Sequence, residues 1–530
     1  MIRKNIYKWH RTISLIIAIP VILWAASGFM HPVMTTIRPK VGTQELSPQT
    51  IDTTKIIVLL QDALLKNNID KFSNFRIVQL ADNWFYQIQL PGQNVLQYIS
   101  TQNGKLLKNG DELYARFLAK QFLEGVKKTN RNISVPVISG LHDCCVNAAT
   151  AVLNDTSGAK ITEVELVEKF NEEYKYINRF LPAYKVSFER KDGIRIYVET
   201  QQDRFAFAMD NRRAVFDTFF SWFHTLGWLD FLGKGKLMIE IVLMSMAFLA
   251  TLMGIYIFCI TKTKTPNGNT VVAARRNHRW TSIVISLFTL MFTGSGAFHL
   301  FTKFSPDTRA QFFTQNVFTP VDALLDIKKI FAAAGAQKKI TTISIVKING
   351  KNYWQVFSQS EETNKKNNIP GAMDMMKRKV APAPSAIYIS TDDHTVLKDG
   401  EMKYANYLAT LFSKHRPDEI VKTTVITKFE DEYGFVNKRL PVWRVHYNSN
   451  SKERFYVETS TGKLAAHVND KDLIEGYSFA MLHKHHFMDW AGKSGRDIST
   501  MFWALAQIAV VVIGLTLYFK MRARKTRQQQ

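Results

Sequence analysis

The chain has 530 residues, 46% of them hydrophobic and 22% charged, with a formal net charge of +24 at pH 7. That length has room for about three to four domains. The sequence carries no Walker loop, no GxGxxG fingerprint and no recognisable nucleic-acid module, so its basic charge does not read as a nucleic-acid footprint.

In chain order, residues Thr12 to Ile37 contain no Asp, Glu, Lys or Arg. This is long enough for a first membrane span, and without a small-residue cleavage pattern it reads as an uncleaved helix. A polar section follows and reads as an α+β module. Asn83–Leu90 and Val95–Ile99 are predicted as paired strands across Pro91-Gly92. Ile161–Phe170 is predicted as a helix, with Ala183–Phe188 and Ile194–Glu199 as strands. The aromatic stretch Phe219–Trp228 is of the kind that lies at a membrane interface. Further spans are expected over Leu237–Ile260, Trp280–Thr302 and Ile498–Phe519, with Glu240 at the interface or facing the bundle. The segments are 1–38 (span one), 39–215 (first module), 216–262 (interfacial segment and span two) and 263–279 (loop). They continue with 280–302 (span three), 303–475 (second module) and 476–530 (interfacial segment, span four and basic tail).

Basic residues cluster at Arg3, Lys4, Lys8 and Arg11, at Lys262, Lys264, Arg275, Arg276 and Arg279, and after span four. With four spans these regions share one side, which the positive-inside rule makes the cytoplasm. Both modules are then expected in the periplasm of an inner-membrane protein. Cys144, Cys145 and Cys259 make neither a disulfide framework nor a zinc spacing. Adjacent Cys144 and Cys145 are free thiols or a vicinal disulfide, and Cys259 reads as a small buried hydrophobe.

The sequence pairs with itself. Trp9-His10-Arg11 … Ser27-Gly28-Phe29-Met30-His31 matches Asn277-His278-Arg279 … Ser295-Gly296-Ala297-Phe298-His299, the second histidine of each copy 21 positions after the first. Phe180–Val186 matches Arg439–Val445, Ile196–Thr200 matches Phe455–Thr459, and Tyr98–Thr101 matches Tyr388–Thr391. Phe223-His224 matches Leu482-His483. The expected architecture is a four-transmembrane-helix bundle with an internal two-fold repeat plus two α+β modules.

Twenty-one residues of α-helix rise about 30 Å, the thickness of the hydrocarbon core, and at about 100° per residue the two histidines lie roughly 60° apart around the helix. Each helix therefore offers an imidazole at each membrane face. Six histidines fall at paired positions: His10 and His278 on the cytoplasmic side, and His31, His299, His224 and His483 on the outer side. One member of each pair per half is what bis-histidine haem b ligation in a four-helix bundle needs. Gly28, Ser27, Gly294, Ser295 and Gly296 are small enough to admit a macrocycle. His31 with His299 is the first expected outer pair; His224 and His483 form the next pair or cross-pair with them to hold a second haem, for one or two haems in all. His485 and His486 have no partner in the first half and stand as a further metal-sensitive feature. His142, His394, His415, His446 and His467 read as surface or loop residues, and Met373–Met376 as a flexible loop.

The His10-Arg11 and His278-Arg279-Trp280 openings, the Ser-Gly at the far end of each helix, and the Phe223-His224 and Leu482-His483 stretches resemble the PepSY-associated transmembrane family. The modules ending in Tyr-Val-Glu-Thr resemble PepSY modules, so the resemblance covers nearly the whole chain. Thr12 stands where an aromatic is usual after His-Arg. The resemblance implies a haem-containing inner-membrane reductase that passes electrons to ferric siderophore in the periplasm. The chain lacks a flavin or nicotinamide fingerprint, so the donor is another protein or a membrane quinol. The alternative is a non-enzymatic PepSY protein that binds or restrains a periplasmic protease or senses a ligand. Besides the lipid bilayer, no nucleic acid is expected among its partners.

Overall fold

The computed structural model describes residues 2–125, 143–156, 158–304, 312–335, 338–359 and 386–527. His142 and the Met373–Met376 loop lie outside them.

The chain begins with α1 (Ile2–Thr36) and α2 (Leu60–Lys66). Strands β1 (Asn74–Leu80), β2 (Asn83–Gln89) and β3 (Gln97–Ser100) precede α3 (Gly110–Glu124) and α4 (Cys144–Leu153). Next come β4 (Ile161–Val167), β5 (Ala183–Phe188), β6 (Arg195–Glu199) and β7 (Arg204–Met209). Helices α5 (Asn211–His224), α6 (Lys234–Ile260), α7 (Thr270–Thr302) and α8 (Ile327–Ala334) follow. The second set of strands is β8 (Ile340–Ile348), β9 (Lys351–Ser358) and β10 (Ile387–Ser390), followed by α9 (Gly400–Ser413). It continues with β11 (Ile420–Ile426), β12 (Val442–Tyr447), β13 (Arg454–Glu458) and β14 (Lys463–Val468). The chain closes with α10 (Asp470–Ser478) and α11 (Gly492–Arg527).

These elements form two compact units. A helical unit gathers Met1–Arg38, Arg212–Asp307 and Asp470–Gln530, and a mixed α/β unit gathers Pro39–Asn211 and Thr308–Asn469.

Among the described residues of the helical unit, four helices are long and apolar enough to cross a membrane: Asn5–Thr36, Lys234–Ile260, Thr270–Thr302 and His486–Arg524. They pack as a closed ring, α1 against α6 and α11, and α7 against α6 and α11. Large apolar side chains such as Ile19, Val284, Leu287 and Phe502 point outward and stay exposed, as a lipid-facing surface requires. Hydroxyls in these helices are satisfied locally: Thr251, Thr289, Thr293 and Thr516 each donate to the carbonyl four residues back. Arg279 anchors the α6–α7 connection. Its guanidinium donates to the carbonyls of Phe258 and Thr261 at the end of α6 and covers the Phe258 ring at 4.9 Å, where a cation also favours the helix dipole. Cys259 is exposed on α6 rather than buried. An apolar run in a spanning helix buries only its inward stripe, and Cys259 faces out.

The α/β unit holds four antiparallel meanders, ordered β1-β2-β3, β4-β5-β6-β7, β10-β9-β8 and β11-β12-β13-β14. Phe72, Phe75, Trp84 and Tyr86 from one section share a hydrophobic cluster with Phe318, Ile343, Ile345 and Trp354 from the other. The same buried amide network occurs in each section. Gln87 Nε2 donates to Tyr98 Oη at 2.6 Å and to the Thr200 carbonyl at 2.9 Å; Gln355 Nε2 donates to Tyr388 Oη at 2.7 Å and to the Thr459 carbonyl at 3.1 Å. The strands expected at Asn83–Leu90 and Val95–Ile99 are β2 and β3, paired antiparallel. The helix expected at Ile161–Phe170 is instead strand β4, paired with β5. Val164 and Leu166 alternate with Glu163 and Glu165, and the edge position lets the glutamates face out. A bulge between Ile161 and Glu163 breaks the period at its start, which disguised the alternation. His446 and His467 lie in strands β12 and β14, not in loops.

Candidate functional site

The paired histidines of the helical unit fall into two groups. His224 ends α5, and His483 ends a single π-helical turn, Phe479–His483, that follows α10. The extra residue of such a turn re-aims side chains and recurs at functional positions. Their imidazoles face one another with centroids 6.4 Å apart at 80°. Each stacks on a phenylalanine four residues earlier: Phe220–His224 at 4.4 Å and 20°, Phe479–His483 at 4.6 Å and 11°. The phenylalanines meet the other outer histidines, Phe220–His31 at 5.3 Å and Phe479–His299 at 4.4 Å. The result is a ladder of rings: His31, Phe220, His224, His483, Phe479, His299.

Two serines set the tautomers of the central pair. Ser27 Oγ lies 3.1 Å from His224 Nδ1, and Ser295 Oγ lies 3.3 Å from His483 Nδ1. Each serine already donates its one proton to the carbonyl four residues back, Leu23 at 2.7 Å and Met291 at 2.6 Å. Each must therefore accept from the histidine, so Nδ1 carries the hydrogen and Nε2 keeps its lone pair. That is the form of imidazole that ligates a metal through Nε2, oriented by a bond at the other nitrogen. Burial, with Lys484 next in effect, pulls His224 down to about 4. Burial, then the neighbouring His224, pulls His483 well below its ordinary value. Both rings are thus neutral near pH 7.

The outer histidines differ from one another. His299 Nδ1 is held by the Glu475 carboxylate, whereas the residue at the paired position in the first half is Phe216. Gly28 and Gly296 lie beside the central pair: a Cβ there would make ordinary contacts, 3.9 Å from His224 Cε1 and 3.8 Å from His483 Cε1.

At the other end of the helices, His10 Nδ1 donates to the Ala250 carbonyl at 3.0 Å, which again leaves Nε2 free to ligate. His278 Nδ1 lies 3.3 Å from Ser282 Oγ. His10 lies on Gly254 of α6 and His278 on Gly514 of α11, where an added Cβ would come within 3.3 Å and 3.2 Å of the respective Cε1 atoms. A Cβ at either glycine would press on the imidazole, which would have to give by a few tenths of an ångström.

His485 is fully buried, with Nδ1 3.1 Å from Ser499 Oγ and its ring stacked on Phe292 at 5.1 Å. Its Nε2 has no hydrogen-bond partner among the described residues. His486 is tied to Asp489 at 2.8 Å and to Arg496, so the two neighbours separate. Glu240 is buried in α6. His415 lies between Glu419 and Glu453, and His467 bonds Glu453 at 2.9 Å; both belong to the α/β unit, apart from the ladder.

The central pair has the centroid spacing that bis-histidine ligation of a metal requires. A metal held through one nitrogen of each of two facing imidazoles puts their centroids about 6 Å apart, given a metal–nitrogen bond of about 2 Å, and 6.4 Å is observed. Two neutral imidazoles without a third converging ligand suit haem iron better than a tetrahedral zinc site. Among the described residues, no set of three His, Cys or carboxylate ligand atoms within 4.8 Å of one another includes these histidines.

Sequence reasoning named all six paired histidines but not Phe220, Phe479, Glu475, Gly254 or Gly514 as their supports. The phenylalanines precede their histidines by one helical turn, a signal present in Phe220–His224 and Phe479–His483. Glu475 contacts His299 across 176 positions of sequence and leaves no local signal. A scan of the chain against protein-family models finds no match, and a search of curated proteins finds no relative.

Proposed function

We propose that this chain is a haem-containing inner-membrane reductase that passes electrons to ferric siderophore, with His224 and His483 as one axial pair. The observation that carries the reading is the facing pair of imidazoles, each with Nδ1 bound to a serine that can only accept. Bound haem b supplies one-electron Fe(III)/Fe(II) chemistry. The chain's own residues do the rest. Ser27 and Ser295 fix the ligating tautomers, Phe220 and Phe479 hold the ring planes, and the apolar helix ring excludes water.

In this reading the chain is two PepSY-like halves related by an internal two-fold repeat. Both termini and the 263–279 loop are cytoplasmic, and the α/β unit is periplasmic. His31 and His299 are available to a second axial set on the outer side, and His10 and His278 to an inner one. Reducing the substrate loosens it because hydroxamate and catecholate oxygens are hard ligands that favour Fe(III) over Fe(II). The donor is a protein or a membrane quinol.

The deciding measurement is the absorption spectrum of purified protein, oxidised and reduced. The expected result is a low-spin bis-histidine haem b spectrum with one or two haems per chain. A chain that takes up no haem, even when haem is supplied, sinks the reading and leaves the protease-binding or ligand-sensing alternative.

A further inference from the structure

The α/β unit carries a second cluster of ligand atoms that the reductase reading does not use. Ligand atoms of Asp143, Cys144 and Cys145 all lie within 4.8 Å of one another at the start of α4. Both cysteines are buried and unoxidised. Asp143 is already committed: as helix cap it accepts from the Cys145 N–H at 3.0 Å, and its other oxygen pairs with Lys105 Nζ at 2.7 Å. The two sulfurs are the donors left.

Their surroundings are not those of cysteines filling a core. Ser100 Oγ accepts from the backbone N–H groups of Gln102 at 3.1 Å and Asn103 at 3.4 Å, which turns its own proton toward Cys144 Sγ. A hydroxyl proton and the first turn of α4 favour negative charge on the sulfur pair, while the Lys105 ammonium is taken up by Asp143. Cys145 Sγ lies 3.5 Å from the Lys105 carbonyl, to which its thiol donates.

A disulfide is a poor alternative. Adjacent Cα atoms are about 3.8 Å apart, short of the roughly 4.4 Å at which ordinary disulfides begin, and both residues have helical backbone.

We propose that Cys144 and Cys145 hold one soft monovalent cation of the Cu(I) class between their two sulfurs. Soft thiolates select Cu(I), and two sulfurs satisfy a two-coordinate ion, whereas zinc would need two more ligands that Asp143 is not free to supply. Binding displaces the thiol protons to solvent, and the helix N-terminus offsets part of the negative charge left on the two sulfurs.

The test uses the full-length protein in detergent, reduced and oxygen-free, competing for Cu(I) against a coloured Cu(I) chelator. Wild type is expected to withdraw one equivalent. Cys144→Ser and Cys145→Ser should each weaken binding by more than about 100-fold, beyond the 10–100-fold that loss of a supporting contact costs. Cys259→Ser should bind as wild type does. X-ray absorption of the Cu(I)-loaded wild type should show two sulfur neighbours, which decides the matter if either serine variant unfolds. Failure of the wild type to compete, retention of the equivalent in the Cys144→Ser/Cys145→Ser double variant, or a copper spectrum without two sulfur neighbours would overturn the site. Preferential binding of one Zn(II) in the same assay would overturn the two-coordinate assignment.

Discussion

The imidazoles of His224 and His483 face each other with centroids 6.4 Å apart and planes at 80°, although 259 positions separate them in sequence. Each is held at Nδ1 by a serine of a spanning helix, Ser27 on α1 and Ser295 on α7. If this pair ligates iron, His224→Ala or His483→Ala should remove or shift the Soret band, and His394→Ala should leave it unchanged. Ser27→Ala and Ser295→Ala remove only the orienting contact, so haem should remain but bind on the order of 10–100-fold more weakly. Unaltered spectra in single alanine variants of His10, His31, His224, His278, His299 and His483 would rule the ligation out.

At the other end of the bundle, the expected loss comes from adding bulk. A Cβ at Gly254 or Gly514 meets the neighbouring imidazole at 3.3 Å or 3.2 Å. Gly254→Val and Gly514→Val should displace His10 and His278, and the corresponding Ala variants should do so less. Gly476→Ala is the control, since nothing lies within 4 Å of a Cβ there. Spectra and thermal stability of the four variants check this; variants indistinguishable from the control would mean that His10 and His278 need no fixed seat.

Histidines about 30 Å apart along one helix cannot share a cofactor. In inside-out vesicles, a reductant confined to the cytoplasmic side should reduce ferric siderophore on the lumen side. His10→Ala or His278→Ala should block that route and leave reduction from the periplasmic side nearly intact. Normal rates from the cytoplasmic side in both variants would make His10 and His278 structural, and a quinol-fed outer site would replace the transmembrane route.

Reporter fusions or protease access should place both termini and the loop at Pro266-Asn267-Gly268 in the cytoplasm. A periplasmic C-terminus would contradict the orientation read from the basic clusters.

In the α/β unit, Glu458 is buried between Arg204 at 2.5 Å and Arg439 at 2.6 Å, with Thr461 donating to it. Glu199, also buried, meets cations only at 3.9 Å and accepts no hydrogen bond among the described residues. Glu458→Gln should cost about 3–5 kcal/mol, because it strands two buried guanidiniums. Glu199→Gln should cost under about 1 kcal/mol, since a poorly paired buried charge contributes little. Burial alone would push Glu458 up, but Arg204 and Arg439 hold it well below its ordinary value. A depressed carboxylate stabilises the fold above its unfolded value of about 4.3, and that stability is lost as pH falls from there toward the folded value. Denaturant unfolding of wild type between about pH 6 and pH 3 should show this slope, and Glu458→Gln should flatten it. Equal costs for the two variants would refute the contrast.

What the sequence determined by itself was the set of spanning helices, the β2–β3 hairpin and the six paired histidines. Uncharged runs of spanning length, a Pro-Gly turn between alternating strands and a motif spelled twice are all local patterns. It did not determine which rings meet. That depends on how each helix is rotated in the ring and on where the helix ending at His224 and the π-helical turn ending at His483 stop, beside one another. Nor did it show Glu475 against His299 or His10 seated on Gly254, because those contacts join residues far apart in the chain. The strand β4 was misread because a bulge offset its alternation. The two α/β sections were read as separate modules, yet Phe72 and Phe318 pack ring to ring at 5.7 Å in one cluster. Hydrophobic period reports that a face is buried; only the packed tertiary structure decides what buries it.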